Sequence, residues 1–128
     1  MTWLAAILTV KIVVTALASA IPFLILAPAR LATLAGAGVE ATPLFRLYGV
    51  AITALLVGYA SGFWTIAEGV FPWGVVFMGI VSNGGALLAL VLTGAWRRTL
   101  PMVLFLGTIT LALIVAAALP NWALSPIG

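Results

Sequence analysis

An all-α membrane protein, an antiparallel bundle of four transmembrane helices in one domain over residues 1–128, is the fold this sequence predicts. Three observations lead there. Of the 128 residues 66% are hydrophobic and only 5% charged, far below the roughly 25% charge of soluble domains. The apolar residues fall into four runs, 3–27, 44–66, 71–93 and 100–119, each about the 20 residues a helix needs to cross a hydrocarbon core of about 30 Å. A helix also satisfies its own backbone where there is no water.

The first run is read as a permanent span. Ala18-Ser19-Ala20 resembles a signal-peptidase site, but a signal peptide places its positive charge before its apolar stretch, and here Lys11 follows an almost wholly apolar start. Pro22 is the one proline inside a span and should bend that helix. Pro28, Gly36 and Gly38 punctuate the first loop, Pro72 opens the third helix, Pro101 the fourth, and Pro120 ends it, at positions where a missing amide costs little. The tail 121–128 is too short to fold alone.

Charge sets the expected orientation. Arg30 and Arg46 flank the first loop, Arg97 and Arg98 lie in the third, and the other side carries Glu68 but no Lys or Arg outside the spans. The positive-inside rule then makes loops one and three cytoplasmic and places both termini on the periplasmic side of an inner membrane. Trp3, Trp64, Trp73 and Trp122 fall at the outer ends of spans and Trp96 at an inner end, the interfacial depth that indole rings prefer. Five basic residues spread among spans make no nucleic-acid surface.

Helices in lipid associate through small residues and a few polar contacts. In the second span Gly58 and Gly62 form a small-xxx-small pair, extended along one face by Ala51, Ala54, Ser61 and Thr65; Gly79, Asn83 and Ala86 form a similar face on the third. These faces are expected to meet other helices.

At about 1.5 Å per residue, Lys11, Tyr59, Asn83 and Thr110 lie about 12, 10, 15 and 14 Å below the outer boundary, so each span brings a hydrogen-bonding group to one depth. Lys11, Thr15 and Ser19 make a polar stripe, and a lysine at mid-span costs about 2.5–3.5 kcal/mol on insertion scales. Two readings stand. Lys11 approaches Glu68, with Tyr59 or Asn83 completing a site, or its stem merely lets the ammonium reach the outer interface. Asn83 likewise has two: a hydrogen bond to a neighbouring helix, with Gly84 and Gly85 as close-contact positions, or a helix broken around residues 82–85 to line a transport path.

Catalytic chemistry has little material. There is no His, Cys or Asp, and the two glutamates, Glu40 and Glu68, lie on opposite predicted sides. That removes the usual haem, zinc and iron–sulfur ligand sets and the nucleophilic triads. Neither an enzymatic activity nor a cofactor or metal is expected.

The first span ending in "APARLATLAG", then "LFRLYGVAITALLVGY" and two further spans, resembles the layout of DoxX-like four-helix bacterial membrane proteins, with Arg46, Tyr48 and Gly49 as the aligned residues. That resemblance implies a small membrane subunit beside larger catalytic partners in quinone-dependent oxidoreductase complexes, and it assigns no functional residue. The sequence thus leads to a non-catalytic accessory or structural subunit, partnered by lipid and by other membrane subunits or copies of itself. The alternatives are a small homo-oligomeric transporter or channel using Lys11, Tyr59, Asn83 and Glu68, and a lipid- or quinone-binding protein whose four arginines attract anionic head groups.

Overall fold

In the computed structural model, which describes residues 1–128, every regular element is helical. Helices α1 (Trp3–Thr15) and α2 (Ile21–Ile25) are joined by a π-helical turn, Ala16–Ala20; α3 (Pro28–Ala35) follows, then a 3₁₀ turn and α4 (Thr42–Ala67), α5 (Trp73–Leu92), α6 (Leu100–Ala118) and the single turn α7 (Pro120–Ala123). Four stretches are long and apolar enough to cross a membrane: Trp3–Ile25 (23 residues), Val39–Ala67 (29), Trp73–Leu92 (20) and Leu100–Ala118 (19).

Two local outcomes differ from the sequence reading. Pro22 leaves its mark upstream of itself, as the π turn Ala16–Ala20 in which the Ile21 N–H reaches back five residues to the Ala16 carbonyl. A proline ring collides with the carbonyl four residues before it and donates nothing there; widening the preceding turn relieves the collision without ending the helix. The first loop, moreover, is not merely punctuated but contains α3. Pro28 supplies the first-turn position, where its missing N–H is harmless, and Gly36 ends the helix in the left-handed conformation (φ +66°) that glycine adopts without strain.

The chain divides into two compact units. The unit Val10–Ala60 holds the second half of the first stretch, α3 and most of α4. Within it Lys11 lies beside Tyr59 and Phe23 beside Tyr48, so residue numbers fall along α4 as they rise along the first stretch, the register of an antiparallel pair. Gly49 permits the approach: a Cβ there would stand 3.1 Å from Phe23 Cβ and from Leu24 Cγ. The Phe23 ring stacks on Phe45 at 5.7 Å and meets Tyr48 edge-on at 5.3 Å.

The other unit comprises Met1–Thr9 and Ser61–Gly128. Its α5 and α6 pack together, with Gly84 next to Thr110 and Gly107 next to Leu87, again antiparallel. Gly62 is a second close approach, where a Cβ would stand 3.1 Å from Leu8 Cδ1 and 3.3 Å from Val75 Cγ1. The tail is docked: Trp122 stacks on Trp3 at 5.4 Å, the Trp3 N–H donates to the Ser125 carbonyl at 3.3 Å, and the Ile127 N–H donates to the Met1 carbonyl at 3.0 Å. Residues 1–3 and 122–127 therefore lie at one end of this unit.

Candidate functional site

Polar side chains inside the apolar stretches are few, and most turn back on their own helix. Thr9, Thr53, Thr108 and Thr110 each donate to the carbonyl four residues earlier, at 2.7–2.8 Å. This local bond is available to a hydroxyl wherever a helix has no water around it. Asn83 does the same with its amide, donating to the Gly79 carbonyl at 2.7 Å, and Ser82 Oγ donates to that carbonyl at 3.3 Å.

The interruption "SNGG" does not break α5, which runs helical from Trp73 to Leu92; the widened turn of this chain lies at Ala16–Ala20 instead. Asn83 is 1% exposed and Gly79 is buried beside it on the same face. A Cβ at Gly84 would stand 3.4 Å from Thr110 Cγ2, ordinary van der Waals contact, whereas Gly85 has open space where its Cβ would be. The expectation for Gly85 is therefore corrected: one residue of helix turns by about 100°, and that carries Gly85 off the face Gly84 shares with α6.

Lys11 is 7% exposed although it is charged, and its ammonium stands 5.9 Å from the centre of the fully buried Tyr59 ring. The ring face attracts the cation, a contact worth about 0.5–2 kcal/mol as burial increases, and the lysine stem contributes apolar contact on the way. Of the five groups singled out in the sequence, Lys11 and Tyr59 share the unit Val10–Ala60, while Asn83, Thr110 and Glu68 belong to the other. Glu68 is exposed in the turn after α4, where its N–H donates to the Trp64 and Thr65 carbonyls at 3.2 Å.

The arginines divide in their use. Arg30, Arg97 and Arg98 are exposed, and the Arg97 guanidinium lies 5.4 Å from the Trp96 ring centre. Arg46 is spent differently. Its Nη1 donates to the Phe23 carbonyl at 2.9 Å and its Nη2 to the Leu26 carbonyl, so the guanidinium closes the C-terminal end of α2, where carbonyls lack intrahelical donors and the helix dipole favours positive charge. Sequence reasoning missed this cap. The signal was an arginine inside the second apolar run rather than in the loop before it.

On α4 the buried positions are Gly49, Ile52, Tyr59 and Gly62. Ala51, Ala54 and Ser61 are exposed, with Gly58 and Thr65 half-buried beside them. The small-residue face predicted to meet another helix is thus left largely uncovered along Ala51, Ala54 and Ser61, while Gly62 alone of that set is fully covered.

No family model matches this chain, and no curated protein and no solved structure is significantly similar to it.

Proposed function

We propose that the chain is a multi-pass inner-membrane protein, an antiparallel four-span bundle that serves as a non-catalytic accessory or structural subunit of a larger bacterial membrane assembly. The uncovered small-residue face of α4, Ala51, Ala54 and Ser61 with Gly58 between them, carries this reading. Small residues let helix backbones approach closely, and they recur at helix–helix interfaces in lipid because apolar surface gives no preference for protein over lipid there. Large residues suffice against fluid acyl chains; a face of alanine, glycine and serine fits a second helix. The resemblance of "LFRLYGVAITALLVGY" to DoxX-like proteins points the same way.

The orientation proposed places Arg30, Arg46, Arg97 and Arg98 at the cytoplasmic side and both ends of the chain in the periplasm. Support comes from the charge asymmetry and from the hydrogen-bonded pairing of residues 1–3 with residues 125–127.

Because the chain lacks cysteine, a single cysteine at Ala54 or Ser61 gives a clean cross-linking probe in native membranes. A cross-link to a larger subunit, present at Ala54 and absent at the Leu119 position, is the expected result. A cross-link only between copies of the chain, together with ion flux in liposomes, would favour a homo-oligomeric transporter instead. The observation behind that second reading is the buried Lys11 over the Tyr59 ring.

A further inference from the structure

The end of the unit Val10–Ala60 that holds α3 carries a shallow, open groove of about 480 Å³, lined by Leu26, Ala29, Arg30, Thr33 and Leu34. Its walls are almost wholly apolar, its one charge is positive, and no acidic residue lines it. Arg30 is exposed there, and no ion pair or hydrogen bond within the chain engages its guanidinium. Thr33 Oγ1 donates to the Ala29 carbonyl at 3.0 Å and still has lone pairs directed outward. A second cation stands behind the wall, since Arg46 Nη2 donates to the carbonyl of Leu26, itself a lining residue.

The helix that forms the groove is two-sided. Leu31 is fully buried and anchors α3, whereas Leu34 is 59% exposed on the groove side. A short helix fixed by one leucine, offering an arginine and a second leucine outward at the end of an apolar stretch, has the make-up of a segment lying in the head-group region of a bilayer.

We infer that this groove binds one anionic phospholipid, with its phosphate on the Arg30 guanidinium and an acyl chain laid along Leu26 and Leu34. Charge complementarity selects the occupant. A guanidinium fork matches phosphate oxygens in pairs, Arg46 adds positive potential without offering a competing site, and the apolar walls favour a ligand that brings its own hydrocarbon. A zwitterionic lipid has the same chain but no net charge to match. The inference rests on the reading that the four apolar stretches lie in a bilayer.

The test uses the full chain purified in mild detergent and titrated with mixed micelles of phosphatidylglycerol or phosphatidylcholine, with bound lipid counted by native mass spectrometry. The expected result is a single phosphatidylglycerol retained in preference to phosphatidylcholine. Arg30→Gln should lower that preference about fivefold, the worth of one basic residue near a membrane surface. Ala29→Glu should lower it at least as much, while Arg98→Gln, an exposed arginine of the other unit, leaves it unchanged. Unaltered preference in both Arg30→Gln and Ala29→Glu overturns the site, as does equal loss in Arg98→Gln. Displacement of the lipid by excess inorganic phosphate overturns the lipid in favour of a free anion. Alkaline extraction of host membranes tests the bilayer reading separately: a chain released by it would sink both conclusions, whereas a retained chain without lipid preference sinks only this one.

Discussion

Arg46 donates from Nη1 to the carbonyl of Phe23 at 2.9 Å and from Nη2 to that of Leu26, so a side chain of the second apolar stretch closes the end of the first. The fork geometry matters because two carbonyls three residues apart at a helix end diverge, and only a guanidinium presents two N–H donors rigidly enough to reach both. Replacing Arg46 by Ala should cost about 2 kcal/mol or more, given that hydrogen bonds from a charged donor each contribute about 1.5–3 kcal/mol. Arg46→Lys should recover less than half of that. Thermal or denaturant unfolding in detergent checks both variants, and equal stability of Lys and Arg would sink the fork argument.

The glycines of the apolar stretches should separate into two groups on substitution. At Gly62 a Cβ meets Leu8 and Val75 at 3.1 and 3.3 Å, and at Gly49 it meets the Cβ of Phe23 at 3.1 Å, so Gly62→Leu and Gly49→Leu should destabilise strongly, by about 1–3 kcal/mol or more of overpacking strain. Gly85 has nothing within 4 Å. Gly85→Ala should raise stability by up to about 1 kcal/mol, the difference in helix propensity. Melting curves for the three variants in one detergent decide it.

Lys11 and Tyr59 should respond unequally. Insertion scales charge about 2.5–3.5 kcal/mol for a mid-span lysine, more than the cation–π contact returns, so Lys11→Met should insert as well as the native chain and melt at the same or a higher temperature. Tyr59→Leu removes the ring beside the ammonium and opens a cavity at a fully buried position, and should cost about 2–4 kcal/mol. A Lys11→Met chain that no longer assembles would give the lysine a structural role beyond this balance. Loss of ion flux with assembly retained would support the transporter reading.

The clasp between the chain ends should be measurable. Trp122→Ala removes the ring stacked on Trp3, a pair worth about 0.5–1.5 kcal/mol beyond its buried area. Truncation after Leu119 also removes the bonds of Trp3 N–H to Ser125 and of Ile127 N–H to the Met1 carbonyl. Hydrogen exchange at the amides of residues 3–6 should accelerate in both, more so in the truncated chain; unchanged protection would show that α1 holds its first turn without the tail.

Pro22→Ala should convert the turn at Ala16–Ala20 to α-helix, because the alanine restores a donor to the carbonyl four residues earlier and removes the ring collision. Amide chemical shifts and hydrogen-bond couplings across residues 16–22 report the change. Persistence of the five-residue bond from Ile21 to Ala16 would assign the π turn to packing rather than to the proline.

By itself the sequence determined that the chain is helical and where its long helices run. Within a bilayer, apolar runs of about 20 residues would leave the backbone no partner but itself, and the observed bounds Trp73–Leu92 and Leu100–Ala118 fall within two residues of the predicted runs 71–93 and 100–119. Proline and glycine marked the ends because their constraints are local. Helix α3 was missed: Pro28 and Gly36 read as punctuation of a loop, although they open and close a helix.

Only the tertiary structure decided which face of each helix is covered. In a helix apolar all round, hydropathy distinguishes no side, and covering follows from shape complementarity between particular side chains. So Gly62 is enclosed while Ala54 and Ser61 on the same helix are not, Gly84 is packed while Gly85 is open, and Asn83 bonds its own helix. The same reason hid the partners of Arg46, which depend on where the first stretch ends in space relative to α4, a relation between residues 23 and 20 positions apart that no local pattern records; the groove at Arg30, lined within residues 26–34, depends instead on α3 forming in the first loop.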